Sequence, residues 1–310
     1  MSAVHVFLFG KFHVELDGRT LADMDRQKVR ELFCYLLLYR DRPHPRETLA
    51  TLLWGENPTA ISRKYLRQTL WQLRSALGGD GALPEIDLLL VEPEWIQLNP
   101  AADIWLDAAQ VEQAFSLARG VVGHDLDAQS LGVIQRAIEL VRGDLLEGCY
   151  HEWVLYERER FRHIHLALLD KMVNYHEAHG DFEAGITYAT EVLRLEPARE
   201  RTHRQLMRLH YLSHDRTAAL HQYERCVAAL AENLAVRPAK RTLALYEQIQ
   251  TDRLERGIPR ASRNTSEARL EISTVRQALS HLQQLNALLM DVEARVRHEL
   301  LAIERELNLQ

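Results

Sequence analysis

From Ile61 to Leu77 the chain reads ISRKYLRQTLWQLRSAL, and the residue types in this stretch suit nucleic acid. Arg63, Lys64, Arg67 and Arg74 can neutralise phosphates and release their condensed counterions. Gln68 and Gln72 can each make a bidentate bond to adenine N6 and N7, and an arginine can do the same to guanine O6 and N7. The two glutamines are four residues apart, so on a helix they address one groove. Trp71 offers an indole N–H to a phosphate, or an apolar edge to sugar or a thymine methyl. Leu66, Leu70, Leu73 and Leu77 follow i, i+4, i+7, i+11 and form the stripe that must face a core. Asn57 to Gly79 contains four Lys/Arg and no Asp or Glu, in a chain with 38 basic and 44 acidic residues. With a net charge of -6, DNA binding has to come from such a local patch and not from the global balance. A solvated basic face is the plain reading of this helix taken alone. The elements around it favour DNA.

Those elements are set by changes of period. Val4–Phe9 and Phe12–Leu16 read as strands around a Gly10-Lys11 turn, with Asp17-Gly18 a second turn and Thr20-Leu21 a brief third strand. Val29, Leu32, Phe33, Leu36 and Leu37 place a helix over 26–39, ended by Pro43 and Pro45. A short helix follows over 46–54, then the turn Gly55-Glu56-Asn57-Pro58. The basic helix comes next, capped by Thr59 and stopped at Gly78-Gly79. Residues 88–98 alternate around Glu92-Pro93-Glu94 as a hairpin. Sheet, three helices and a hairpin make a winged helix-turn-helix over 1–100. The two carboxylates at the wing tip repel phosphate, so base reading falls mainly on the third helix, while Trp95 is expected in the core. Arg26, Lys28 and Arg46 are further candidates for phosphate contact.

Residues 101–255 read as almost wholly helical, with helices near 107–119, 127–141, 151–179, 182–195, 199–213, 216–231 and 239–254. His179-Gly180-Asp181 and Ser213-His214-Asp215 lie 34 residues apart, each followed by an Ala at the same offset, Ala184 and Ala218. That period is the tetratricopeptide spacing. A concave repeat surface can take a peptide. A small effector lined by Tyr175, Tyr188, Tyr211, Tyr223 and Arg204 is the alternative, although repeat core is the plainer use of these aromatics. A polar linker is expected over 256–266. A last helix over 267–310 follows, with Val275, Leu282, Leu289, Val296 and Ile303 at heptad spacing, which suits a coiled coil that self-associates, the alternative being a helix folded back onto its own solenoid.

Catalysis finds no support: there is no nucleophile elbow, phosphate-cradling glycine loop or metalloprotease motif. The three cysteines, Cys34, Cys149 and Cys226, are scattered in apolar surroundings and read as small buried hydrophobes in a reducing cytoplasm. The 15 histidines show no ligand spacing, so neither metal nor cofactor is expected. No apolar run is long enough for a membrane span, and the N-terminus lacks signal-peptide features.

LLLYRDRPHPRETLATLLWGENPTAISRKYLRQTLWQLRSALGG resembles the DNA-binding domain of antibiotic-regulatory-protein (SARP) type bacterial activators. RGDLLEGCYHEWVLYERERFRHIHLALL and the repeat segment from HGDFEAG to LAVRP resemble the bacterial transcriptional activation domain that follows it. The resemblance covers about residues 4 to 250. It implies a transcription regulator, usually an activator, that binds direct promoter repeats as a dimer or tandem pair and contacts RNA polymerase. Carried over by position, the recognition helix supplies Lys64, Arg67, Gln68, Trp71, Gln72 and Arg74. The competing expectation is a protein–protein adaptor whose winged domain has lost DNA affinity.

Overall fold

In the computed structural model, residues 4–16, 18–21, 26–77 and 88–254 are described. The Gly78-Gly79 stop, the 256–266 linker and the 267–310 helix lie outside the described residues. The fold is mainly helical, with two small sheets. Strands β1 (Val4–Phe7), β2 (His13–Leu16) and β3 (Arg19–Thr20) form an antiparallel meander, with Gly10 at φ 75° in the first turn. Val4 and Val6 point inward and are fully buried, while His5 and Phe7 take the other face, as period-2 alternation requires. A strand not expected from sequence, β7 (Ile104–Leu106), pairs in parallel with β1, Val4 opposite Ile104 and Val6 opposite Leu106. Three residues are too few to display a period, and only the register with β1 makes this segment a strand.

Helices α1 (Gln27–Leu38), α2 (Arg46–Trp54) and α3 (Thr59–Leu77) follow. The wing is β5 (Leu89–Val91) and β6 (Trp95–Leu98), joined by a short unexpected strand β4 (His44–Pro45) in the order β4-β6-β5. The cap of α3 differs from expectation. Thr59 is the first helical residue, and the Pro58 carbonyl accepts from the N–H groups of Ile61 (2.9 Å) and Ser62 (3.1 Å). Ser62 Oγ donates to the Trp54 carbonyl at 2.9 Å, which satisfies an orphan acceptor at the end of α2 and fixes the turn.

The remaining helices are α4 (Asp107–Ala118), α5 (Ala128–Leu140), α6 (Glu152–His179), α7 (Phe182–Leu195), α8 (Glu200–Leu212), α9 (Arg216–Leu234) and α10 (Lys240–Gln250). The 34-residue signature has a physical origin: Asp181 and Asp215 are N-caps, their carboxylates accepting from the N–H of Ala184 (3.4 Å) and Ala218 (2.8 Å). Gly185 and Ala219 occupy equivalent buried positions where successive helices close together. A Cβ on Gly185 would lie 3.2 Å from a Leu209 methyl. No helix among the described residues is long and apolar enough to cross a membrane.

Asp107, 1% exposed, begins α4. Its carboxylate accepts from the amides of Leu8 (2.7 Å), Phe9 (3.0 Å) and Ala108 (2.6 Å). Nearby, Leu146 N–H donates to the Leu8 carbonyl and Gly10 N–H to that of Asp144. One core therefore runs from Val4 to Met172 without a break at residue 100.

Two predictions follow from these contacts. Gly180 and His214 are equivalent C-terminal turn positions, both left-handed at φ 77° and φ 68°. Only His214 carries a Cβ into that region, and its side chain is exposed. His214→Gly should therefore stabilise the fold by about 1 kcal/mol in urea denaturation. Burial pushes the Asp107 carboxyl up to about 6, against the three amides that hold it down. A raised folded-state value gives stability that is full below the ordinary 3.8 and is lost as pH rises through about 6. The unfolding free energy of the wild type relative to Asp107→Asn should thus rise by up to about 3 kcal/mol as pH falls from about 7 to about 4.

Candidate nucleic-acid interface

Helix α3 divides cleanly into two faces. Leu66, Leu70, Leu73 and Leu77 are buried, together with Ser62, Thr69 and Ala76. Arg63, Lys64, Arg67, Gln68, Trp71 and Arg74 are exposed, and Gln72 is half-buried. Trp71, at 69% exposed, has its ring in solvent, where a large apolar residue has no folding role. The packing of α1 and α2 beneath the leucine stripe fixes the rotation of α3, and that rotation is what turns these side chains outward together.

The charges on this face differ in availability. Lys64 and Arg67 have no ion-pair partner among the described residues. Arg63 is paired with Glu47 of α2. An acid-free window in sequence is therefore not acid-free in space, since α2 packs on α3 and brings its own carboxylate. Of the additional phosphate candidates, Arg26 is exposed and lines a small depression with Trp71, Gln72 and Ser75, extending the polar face toward the C-terminal end of α3. Lys28 is turned away, 2.9 Å from Glu31. Arg46 donates to the Glu92 carbonyl at 3.1 Å and braces the wing tip.

The wing stands beside the N-terminal half of α3. A cleft of about 900 Å³ lies between them, lined by Arg46, Glu47, Arg63, Arg67, Glu94 and Trp95 among others. Trp95 is 42% exposed, not in the core as expected: it occupies the outward register position of β6, while its neighbour Ile96 is fully buried. Glu92, Pro93 and Glu94 are all exposed at the tip.

The aromatic residues considered for an effector site do not converge on one cavity. Tyr211 is buried against α10 and donates to Asp252 at 2.7 Å, Tyr223 stacks on Tyr246, and Tyr188 packs with His176. Arg204 donates to Thr242 Oγ1 at 2.9 Å. Elsewhere the fold gathers Glu31, Cys149 and His151, residues 31 to 151 of the chain having given no spacing signal for such a cluster.

A winged helix-turn-helix layout followed by tetratricopeptide-like helices makes this chain similar to transcriptional regulators of known sequence and structure. Its helical part, residues 106–250, matches the family model of the bacterial transcriptional activator domain (BTAD). The transcriptional regulatory protein EmbR of Mycobacterium tuberculosis is 27% identical over 249 residues, 78% of this chain and 62% of that protein. The transcriptional regulatory protein MoaR1 of the same organism is 25% identical over 251 residues, 80% of this chain and 79% of its own length. The solved structure of M. tuberculosis EmbR in complex with a low-affinity phosphopeptide superposes with a TM-score of 0.66 at 25% identity, covering 81% of this chain and 66% of that one. The chain thus spans 62% of the length of EmbR.

The two faces of α3 should separate in stability measurements. Trp71→Ala is expected to change the unfolding free energy by less than about 0.5 kcal/mol. Leu73→Ala, two residues on, should cost about 2–5 kcal/mol in the same urea titration.

Proposed function

We propose that this protein is a sequence-specific DNA-binding transcription regulator, an activator acting in the cytoplasm, that reads the major groove with α3. The observation that carries this reading is the outward face of that helix, on which Arg63, Lys64, Arg67, Gln68, Trp71, Gln72 and Arg74 stand on a rigid leucine-packed support. Gln68 and Gln72 have the geometry to read adenine, Arg67 to read guanine, and Lys64 and Arg26 to hold phosphate. The names of the relatives, both transcriptional regulatory proteins, support the same role.

In this reading residues 1–100 are the reader and 101–255 the activation domain. The acidic wing tip adds little attraction for the minor groove, so one copy binds weakly and function requires pairing. A homodimer on promoter repeats meets that requirement, with the helical domain contacting RNA polymerase or responding to a small effector.

The test is selection of bound sequences from a random double-stranded pool by the full chain, followed by gel shifts at two salt concentrations. A recovered motif and binding that weakens steeply with salt are expected. Arg67→Ala should relax preference at one position, lower affinity by about 1–3 kcal/mol and reduce the salt slope by about 1. Arg67→Ala combined with Gln68→Ala should abolish selective binding. Failure to enrich any sequence would sink the proposal and favour an adaptor that uses the repeats to bind proteins.

A further inference from the structure

We propose that Glu31, Cys149 and His151 form a zinc site that ties the reader to the activation domain. Glu31 lies on α1, the central helix beneath α3. Cys149 and His151 lie in the segment that leads into α6. The three offer one carboxylate oxygen, one sulfur and one imidazole nitrogen, all within 4.8 Å of one another, and Glu31 Oε2 is 3.0 Å from His151 Nε2. Thiolate, imidazole and carboxylate are the three ligand types of protein-bound zinc, and the sulfur disfavours magnesium and calcium.

The carboxylate is set up for this role. Glu31 is 2% exposed, and its buried Oε2 is met only by the Lys28 ammonium and the His151 ring among the described residues. Its other oxygen is held by Gln27 Nε2 at 2.8 Å, the kind of outer contact that orients a ligating carboxylate. The spot already attracts a cation: the Lys28 ammonium lies 2.9 Å from Glu31 Oε2 and 3.4 Å from His151 Nε2. The Lys28 side chain is 36% exposed on a flexible stem, so it can swing to solvent when a dication takes its place. On binding, the Cys149 S–H bond breaks, the proton leaves to solvent and a zinc–thiolate bond forms. Three protein ligands leave a fourth position for water. Cys34 and Cys226 are also buried, but neither belongs to a group of three potential ligands among the described residues.

The experiment titrates Co²⁺, as a spectroscopic substitute for zinc, into the chelator-stripped full chain. One equivalent should bind with a thiolate-to-cobalt charge-transfer band in the near ultraviolet, and zinc should displace it and raise the melting temperature. Cys149→Ser and His151→Ala should each lose the band, with circular dichroism confirming that each variant folds. Lys28→Met removes the competing cation and should bind about tenfold more tightly. Should Cys149→Ser fail to fold, the remaining two variants decide. No charge-transfer band in the wild type overturns the site and leaves a Lys28–Glu31–His151 ion-paired triad. A band that survives His151→Ala, or binding no tighter in Lys28→Met, assigns the metal to adventitious ligands and overturns it equally.

Discussion

The carboxylate of Asp107 stands where two parts of the chain far apart in sequence share one set of backbone amides. It begins α4 and at the same time receives the N–H groups of Leu8 and Phe9, just beyond β1. Without it, those amides would be buried unsatisfied, at a cost comparable to losing each hydrogen bond outright. The neighbouring β7–β1 pairing depends on the same junction, because the residue after Leu106 is Asp107 itself. The first sheet of the winged domain is therefore completed from the start of the helical domain. Neither part closes its core alone.

A second polar connection reinforces this seam from the other side. Tyr39, at the end of α1, donates to Glu157 of α6 at 2.9 Å, and Glu157 accepts from Arg160 at 2.6 Å. Arg160 and Arg40 in turn share Glu112 of α4, at 2.8 and 2.7 Å. Burial and the Glu157 acceptor push the Tyr39 hydroxyl well above its usual value, so it stays a donor into the alkaline range. Buried charges of this kind cost desolvation, and they are tolerable because each is met by a partner. The result is that α1, the helix that supports α3, is tied by side-chain contacts to α4 and α6.

Much of this was legible in the sequence. The leucine stripe of α3, the apolar period of α1 and the positions of the long helices came through because each depends on residues within a few turns of one another, although α9 runs on to Leu234 past the expected 231 and α10 ends at Gln250 short of the expected 254. The 34-residue signature was visible as a pattern before its cause, the N-capping aspartates Asp181 and Asp215, was apparent. Local signals failed where a segment was short or its role was set from outside. β4 and β7 are two and three residues long. Trp95 is a large aromatic residue, and its type suggested burial, but the β6 register assigns it the outward side.

The sequence by itself determined the fold class, the order of elements and the polar face of α3, since hydrophobic period and capping chemistry act over short separations. Only the tertiary structure decided which of those face residues are unpaired. Glu47 reaches Arg63 because α2 lies across α3, and Arg26 joins the C-terminal end of the same face because the start of α1 lies beside it. Likewise, only folding brought Glu31 to Cys149 and His151, more than 100 residues away. Juxtapositions of that kind carry no period and no motif, because they are set by how elements pack and not by the spacing of residues within any one of them.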